Sequence, residues 1–510
     1  MKNKEILLDM IGETDEKLVP ELTAKKKKSN IIRWTALGGV CAAAVLACAV
    51  VLPKIGNDNK LSVTSSSVSG DTDSSKITGS ENESAITPRK SGAKAEVLSA
   101  AVYPEMPQYP DASGVADWNK LEPLMNKWQE AREALKNQPE GYQDGFDAFF
   151  LNSAQTFMKG SSDGNTVYSP LSLYMALGIS AEITDGSSRQ QILDVLGQAD
   201  IDTLRSHSKS IWQANYLDDG MSKCVLANSF WTNSNAEYNK DTVNSLAENY
   251  YSSVYSGDPV SEEYNKMYQD WLNAQTDGLL GDQVSDLKLD PDMLLSIAST
   301  VNYSGKWMDK FSADKTEQAD FHAPGGDVQC DFMNDERDMG YYWGEHFSSI
   351  SLPLENNGHM KLILPNEGYT PYDLLNDEQA KELMLDTGDY ENSKFASVTL
   401  SVPKFDVSSN ISLQEGLEAL GVTDIFDIDK SDFTPLTGEK VYINKAEQDT
   451  RVTIDEEGCK AVSVTVIGGK GGGAPDEHAE FILDRPFIFE IVSDSGLPLF
   501  AGVVNNPAQQ

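Results

Sequence analysis

Apolar side chains recur every three or four residues in the first half of the chain, beginning near residue 97. The segment DWNKLEPLMNKWQEAREAL at 117–135 has this spacing, and GFDAFFLNSAQTFMK at 145–159 repeats it. Such spacing places the apolar side chains on one face of a helix. We therefore expect helices to dominate up to about residue 280.

Beyond that point the pattern changes to short apolar or alternating runs that end at Gly, Pro or Asn. The clearest runs are LLSIASTVNYSGKW at 294–307, HMKLILP at 359–365, ASVTLSVPKFDV at 396–407 and FIFEIVSDSGLPLFAGVV at 487–504. Runs of this kind are typical of strands. Helices followed by strands indicate an α+β fold. Because no compositional break interrupts residues 97–510, we predict one large domain there.

A different pattern lies near the N-terminus, where residues 34–52 form an uncharged apolar run of 19 residues. As a helix, this run would span about 28 Å, close to the thickness of the bilayer core. Four lysines at 25–28 and Arg33 precede it, and positive residues favour the cytoplasmic side. We predict a single transmembrane helix over 34–52, with residues 1–33 in the cytoplasm and the rest outside the cell. A cleaved signal peptide and a lipoprotein site at Cys48 are the alternatives.

A polar segment at residues 53–96 follows the apolar run. Its centre, VTSSSVSGDTDSSKITGSENES at 63–84, has almost no residues that could form a core. Such a composition is typical of flexible linkers. We predict a stalk that holds the domain at 97–510 outside the cell membrane.

Composition and charge narrow the possible functions. The chain has 510 residues and a formal net charge of −38, and phosphate binding needs clustered Lys and Arg, so we expect no nucleic-acid partner. The cysteines are sparse and do not form a disulfide framework. The five histidines lack the spacing of a metal site, and no GxSxG motif is present. We therefore expect neither an enzyme nor a metal or cofactor.

Six segments of the chain match those of a known family in their order. The first is NTVYSPLSLYMALGISAEITDGSSRQQILDVLG at 165–197, a later one ends in Gly305-Lys306-Trp307, and the last is RPFIFEIVSDSGLPLFAGVVNNP at 485–507. On these segments, residues 145–508 resemble a serpin, a serine protease inhibitor. The resemblance implies the serpin fold, with early helices, large mixed and antiparallel sheets and an exposed reactive-centre loop. Together with the predicted membrane helix, it implies a bacterial, membrane-anchored member.

The resemblance places the reactive-centre loop within VTIDEEGCKAVSVTVIGGKGGG, residues 452–473. It implies that a protease cleaves this loop and that the freed loop inserts as the middle strand of the main sheet. The hinge residues are then Glu456, Gly458, Cys459, Ala461, Ser463 and Thr465. Because strand side chains alternate between faces, the last four would point inward. All four are small, as insertion into a packed sheet requires.

The resemblance also implies a set of residues that controls the opening of the main sheet. These shutter and breach residues are Ser169, Ser172, Asn228, Gln448 and Trp307. Gln448 stands where the family has a His. An amide donates and accepts hydrogen bonds, so a hydrogen-bonded latch is expected there, but one that does not titrate with pH.

The scissile bond follows from the length of the loop. In the family, the hinge Glu lies sixteen residues before the cleaved residue, which predicts cleavage between Gly472 and Gly473. Lys470 is the rival, and counting back from Pro486 gives Pro475 instead. A site at Gly472 would suit a protease of elastase-like or subtilisin-like specificity, whereas Lys470 would suit a trypsin-like protease.

We therefore expect a monomeric suicide inhibitor of extracellular serine proteases. The alternative is a non-inhibitory serpin-like binding protein on the cell surface. A bulky charged residue among the inward hinge positions would favour the alternative, and none is present.

Overall fold

The computed structural model describes residues 40–51, 85–86, 95–110, 118–159, 164–279, 284, 287–355, 357–385, 390–456 and 477–509. Its helices are α1 (Trp118–Lys136), α2 (Phe146–Phe157), α3 (Pro170–Glu182), α4 (Gly186–Val195), α5 (Ile201–Asn215), α6 (Lys240–Asn249), α7 (Glu262–Gln275), α8 (Pro371–Leu374), α9 (Glu378–Met384) and α10 (Gln414–Leu420). Short 3-10 helices lie at Ala313–Lys315 and Asp424–Phe426.

The strands are β1 (Val40–Val51), β2 (Ala85–Ile86), β3 (Glu96–Ser99), β4 (Thr166–Tyr168), β5 (Leu217–Asp218), β6 (Lys223–Asn233), β7 (Tyr238–Asn239), β8 (Ser252–Gly257), β9 (Met293–Gly305), β10 (Thr316–Ala323), β11 (Gly326–Trp343), β12 (Phe347–Pro353), β13 (His359–Pro365), β14 (Ser393–Pro403), β15 (Phe405–Ser412), β16 (Tyr442–Ile454), β17 (His478–Ile482), β18 (Phe487–Val492) and β19 (Pro498–Val504).

The first sheet has the strand order β15-β16-β1-β9-β6-β8-β3, with β5 paired to β6. Its strand β9, MLLSIASTVNYSG, lies between β1 and β6 and is buried along almost its whole length. Burial at consecutive positions, rather than at every second one, is typical of a strand covered on both faces.

Both faces of this sheet are covered, as neighbouring residues of β6 show. Phe230 belongs to the main hydrophobic core. The next residue, Trp231, belongs to a second cluster with Tyr264 and Tyr268 of α7. Because side chains alternate between the faces of a strand, α7 covers the face opposite the main core.

The second sheet has the order β17-β14-β11-β12-β13-β18-β19-β4, with β10 paired to β11. Its strand β17 is parallel to β14, whereas β11 and β14 form a long antiparallel pair. The chain therefore leaves the first sheet at the end of β16 and next joins the second sheet at β17. The predicted reactive-centre loop lies in this connection.

Helix α3 lies beneath the first sheet, and every one of its residues is buried. Pro170 occupies its first turn, where the missing N–H has no intrahelical partner to lose. The N-cap residue is Ser169, whose hydroxyl oxygen accepts a hydrogen bond from Ser172 N at 3.2 Å. The YSPLS sequence thus fixes the start of this helix against the sheet.

The helix predicted over residues 34–52 differs from the structure, in which Val40–Val51 form strand β1. This strand pairs with β9 on one side and β16 on the other. Two paired edges satisfy its backbone hydrogen bonds without a helix. Among the helices in the described part of the chain, none combines the length and apolar character needed to cross a bilayer.

Two further expectations need correction. The stalk predicted over 53–96 includes β2, which pairs with β7, and the first residue of β3, which pairs with β8. Strands also contribute more to the first half of the chain than its helical spacing predicted. Strands β6 and β8 both precede residue 280 and pair in the first sheet. Burial at nine consecutive positions of β6 leaves no alternation for the sequence pattern to show, and β8 has only six residues.

Candidate functional site

The first part of the candidate site lies at the end of β16, around Glu456. The Glu456 carboxylate accepts a hydrogen bond from Thr316 Oγ at 2.7 Å and forms an ion pair with Lys404 Nζ at 2.9 Å. Its backbone oxygen accepts from Phe311 N at 3.1 Å. Three residues therefore hold Glu456, the first predicted hinge residue, at the end of the first sheet.

Trp307 holds the backbone next to Glu456. Its indole Nε1 donates to the backbone oxygen of Asp455 at 2.8 Å, and its ring is one per cent exposed. The ring also meets that of Phe311 edge-on, with centroids 6.1 Å apart. A tryptophan that is buried and bonded in this way fixes the backbone from which the loop departs. We call Trp307, Thr316, Lys404 and Glu456 the breach cluster.

The charge of the breach cluster depends on pH. Partial burial raises the pKa of the Glu456 carboxyl, but the hydrogen bonds from Lys404 and Thr316 outweigh burial. The pKa therefore lies below the ordinary value of 4.5, and Glu456 is ionised at neutral pH.

The second part of the candidate site lies where the start of α3 meets the first sheet. Gln448 of β16 accepts a hydrogen bond from Ser169 N at 2.8 Å and donates one to Ser169 O at 3.1 Å. Ser172 Oγ donates to the backbone oxygen of Ser299 in β9 at 3.1 Å and lies 3.3 Å from its hydroxyl. We call Ser169, Ser172, Ser299 and Gln448 the shutter cluster. It connects β16 with β9 through one helix terminus.

Of the predicted shutter residues, Asn228 stands apart from this cluster. It is opposite Ser299 in the β6–β9 ladder, but its amide donates to Tyr250 O at 2.8 Å. Its side-chain oxygen is buried and has no hydrogen-bond partner among the described residues. The structure therefore brings Ser169, Ser172 and Gln448 together and places Asn228 one strand away.

Between the two strands that the shutter cluster connects lies a slot, and β1 fills it. Strand β1 is antiparallel to both β9 and β16, so β9 and β16 are parallel to each other. A chain that turns back after β16 would enter the slot antiparallel to β16, which is the direction of β1. The slot thus has the orientation that an inserting loop requires.

The remaining predicted site residues lie outside the described residues. They comprise Gly458, Cys459, Ala461, Ser463 and Thr465 of the hinge, the proposed scissile pair Gly472 and Gly473, and the rival Lys470. Of the hinge, the structure describes Glu456. These assignments stay predictions from the sequence.

Sequence reasoning missed two residues of the site. Ser299 is one of several small polar residues within β9, so no local pattern distinguishes it. Lys404 follows Pro403 at the end of β14 and reaches Glu456 across a long sequence separation. A search for a cation able to balance Glu456 could have suggested Lys404, although it could not have distinguished Lys404 from other lysines.

The two sheets, the buried α3 beneath the first sheet and the long β16–β17 connection define the serpin fold. The family model described as Serpin (serine protease inhibitor) matches residues 145–507, and the chain belongs to this family. As expected from the sequence, it belongs among protease inhibitors rather than enzymes.

Individual relatives agree with this assignment. The rat alpha-1-antiproteinase is 27% identical over 362 residues, which cover 68% of this chain and 85% of the relative. The mouse leukocyte elastase inhibitor A is 27% identical over 384 residues, covering 70% and 97%. The native-state crystal structure of the thermophilic serpin tengpin superposes with a TM-score of 0.62 at 25% identity, covering 73% of this chain and 95% of tengpin.

Proposed function

We propose that this serpin is a suicide inhibitor of extracellular serine proteases and acts by inserting its cleaved loop between β9 and β16. The observation that supports this most directly is the slot itself. It accommodates a strand of 12 residues, antiparallel to β16, at the point where the loop leaves the sheet. The names of the rat and mouse relatives, an antiproteinase and an elastase inhibitor, favour the same class of function.

The chemistry begins at the loop. The serine of the protease attacks the carbonyl of Gly472, the peptide bond to Gly473 breaks with release of the Gly473 amine, and the Gly472 carbonyl becomes an acyl-enzyme ester. Residues 457–472 are then free at one end and add to the sheet as a strand, a recognised mode of strand addition. A strand of 12 residues, at about 1 kcal/mol net for each ladder bond, supplies on the order of 12 kcal/mol. This free energy can displace the tethered protease and distort its active site before water releases it.

The breach and shutter clusters have separate roles in this proposal. The breach cluster holds Glu456 so that insertion begins at a fixed residue. The shutter cluster ties β16 and β9 to α3, so that the sheet opens as a unit. Both roles give a reason for placing polar side chains in these buried positions, where a polar group without a hydrogen-bond partner would cost free energy.

The target follows from the loop sequence. Small residues around Gly472 suit a shallow specificity pocket, which favours elastase-like or subtilisin-like proteases over a trypsin-like one cutting after Lys470. We further propose that residues 34–52 can anchor the chain in the cell membrane, with the serpin domain outside. The uncharged run and the preceding lysines support this placement.

A denaturing gel tests the inhibitor proposal. The full chain, reconstituted into phosphatidylcholine vesicles and mixed with elastase, subtilisin or trypsin, should give a covalent band that survives denaturant. Mass spectrometry of the released C-terminal fragment then identifies the site: a new N-terminus at Gly473 supports Gly472, whereas one at Gly471 supports Lys470. Cleavage without any covalent band would make the protein a substrate and favour the non-inhibitory alternative.

A pair of hinge variants tests the insertion step. Ala461→Arg should turn the inhibitor into a substrate, because insertion would bury an unpaired guanidinium. Val462→Arg is the matched control, since its side chain would lie on the opposite face of the inserted strand. Equal trapping by the two variants would show that the inward assignment of Ala461 is wrong.

A further inference from the structure

We propose that residues 40–51 are a built-in competitor of the reactive-centre loop. When they occupy the slot as β1, the loop cannot insert and the protein does not trap proteases. When they are in a membrane, the slot is vacated and the inhibitor is active. The functional consequence rests on the proposed inhibitory function, whereas occupancy of the slot can be tested without it.

The first argument is that the slot holds one strand. The edges of β16 are paired with β15 and β1, and those of β9 with β6 and β1. Each edge of a strand presents one row of backbone donors and acceptors. With β1 in place, these strands have no edge left for the loop. The two occupants therefore exclude each other.

The second argument is the sequence of the segment. VCAAAVLACAVV contains no charged residue and consists mainly of Ala and Val. Ala is the best helix former, whereas Val favours strands. A segment of this composition is compatible both with the bilayer as part of a helix and with a buried sheet as a strand. The bilayer and the interior of the sheet are both apolar environments, so the presence of a membrane can determine which of them the segment occupies.

The third argument comes from the shutter cluster. Its bonds to Gln448 and Ser299 are made while a strand separates β16 from β9, and Leu46 is opposite both residues in the two ladders. Neighbouring strands lie about 4.8 Å apart, so loss of β1 would let β9 and β16 approach by about that distance. Both sets of bonds to α3 could not then keep their present lengths. The cluster therefore reports on the occupied state of the slot.

The fourth argument concerns how well β1 fits. Thr450 of β16 is opposite Ala44, and its hydroxyl is buried with no hydrogen-bond partner among the described residues. A buried hydroxyl without a partner costs free energy. The loop offers hydroxyls at Ser463 and Thr465, which an alanine-rich segment lacks. An occupant that leaves this hydroxyl unpaired can be displaced.

Disulfide trapping tests the register directly. Cys48 is opposite Ala446, and Cα atoms in adjacent antiparallel strands lie within the range that a disulfide spans. The full chain carrying Ala446→Cys, in a Cys459→Ser background, should form a disulfide between Cys48 and the introduced thiol on mild oxidation in detergent-free buffer. Burial raises the pKa values of Cys224 and Cys330 to about 12 and about 11, which limits competing reactions. Non-reducing gels and peptide mapping identify the product.

Two controls define what the cross-link means. Adding Cys48→Ser must abolish it, and Lys445→Cys, one position out of register, should give at least tenfold less product. The yield with Ala446→Cys should fall at least tenfold when the chain is reconstituted into phosphatidylcholine vesicles. Absence of the cross-link in buffer would overturn occupancy of the slot, and an unchanged yield in vesicles would overturn the membrane switch.

A proline variant tests the functional consequence. Ala44→Pro removes a donor from β1, whereas a membrane helix tolerates proline better than a central strand does. We expect a difference in the stoichiometry of inhibition, the number of inhibitor molecules consumed for each elastase molecule trapped. In detergent-free buffer this number should be at least tenfold lower for Ala44→Pro than for the wild type or for Ala36→Pro, the matched change outside β1. Equal stoichiometry for all three would overturn the competition. Failure of every form to trap protease, with the cross-link intact, would refute the inhibitory function alone.

Discussion

The breach cluster holds the end of β16 and the shutter cluster holds its middle, and the two clusters differ in the kind of interaction that they use. The breach cluster pairs a carboxylate with Lys404, whose side chain is 33% exposed. The shutter cluster is neutral, and its four residues are at most one per cent exposed. Charged pairs near solvent respond to pH and salt, whereas buried neutral hydrogen bonds do not.

This contrast assigns different kinds of control to the two clusters. In the mechanism that we propose, insertion begins at the breach cluster, where solution conditions can weaken the hold on Glu456. We expect the shutter cluster instead to respond to the number of strands between β9 and β16. One cluster is therefore sensitive to solvent and the other to the geometry of the sheet.

The largest expected effect is that of Gln448→Leu. It removes two hydrogen bonds and leaves Ser169 N and O unsatisfied in a buried position. We expect a loss of about 3 kcal/mol in the free energy of unfolding, measured by urea denaturation. Gln318→Leu, at an exposed glutamine on β10, is the control and should change stability by less than about 0.5 kcal/mol. Similar losses in the two variants would show that the hydrogen bonds of Gln448 do not stabilise the fold more than an exposed glutamine does.

The family resemblance pointed to residues that the structure places at the first sheet, whereas the hydrophobic pattern gave the wrong element for β1. Ser169, Ser172, Gln448, Trp307 and Glu456 were identifiable because each lies in a recognisable segment, and the structure puts them at the sheet. The β1 strand was not identifiable from the pattern of the chain. An uncharged run of 19 residues satisfies the length of a bilayer, and nothing in it reveals a slot formed by strands hundreds of residues away.

Trp307→Phe tests the neutral part of the breach cluster. It keeps an aromatic ring but removes the donor to Asp455 O. We expect a loss of about 1.5 kcal/mol in the free energy of unfolding, because a buried carbonyl loses its partner and packing is reduced. Trp343→Phe, at a more exposed tryptophan, should cost less than about 0.5 kcal/mol in the same assay. A larger cost at Trp343 would contradict the assignment.

Glu456→Gln tests the charged part. Because the folded-state pKa of Glu456 is depressed, its stabilising contribution is present above its ordinary pKa of 4.5 and is lost as pH falls through the folded value. The wild type should therefore exceed the variant in melting temperature at pH 7, and the difference should shrink on acidification and in high salt. Gln448→Leu should show a deficit that does not depend on salt. A difference in melting temperature between wild type and Glu456→Gln that stays constant from pH 7 to pH 3 would show that the charge of Glu456 does not stabilise the breach cluster.

The smallest effect separates backbone from side chain within the shutter cluster. Ser172 Oγ donates to the Ser299 carbonyl at 3.1 Å and lies slightly farther, at 3.3 Å, from its hydroxyl. If the backbone contact carries the stabilisation, Ser172→Ala should cost about 1 kcal/mol in the free energy of unfolding, whereas Ser299→Ala should cost only a few tenths. The same urea titration measures both. A cost at Ser299 equal to that at Ser172 would mean that the two hydroxyls form the contact, and the latch between α3 and β9 would then depend on a side chain that only Ser or Thr could supply.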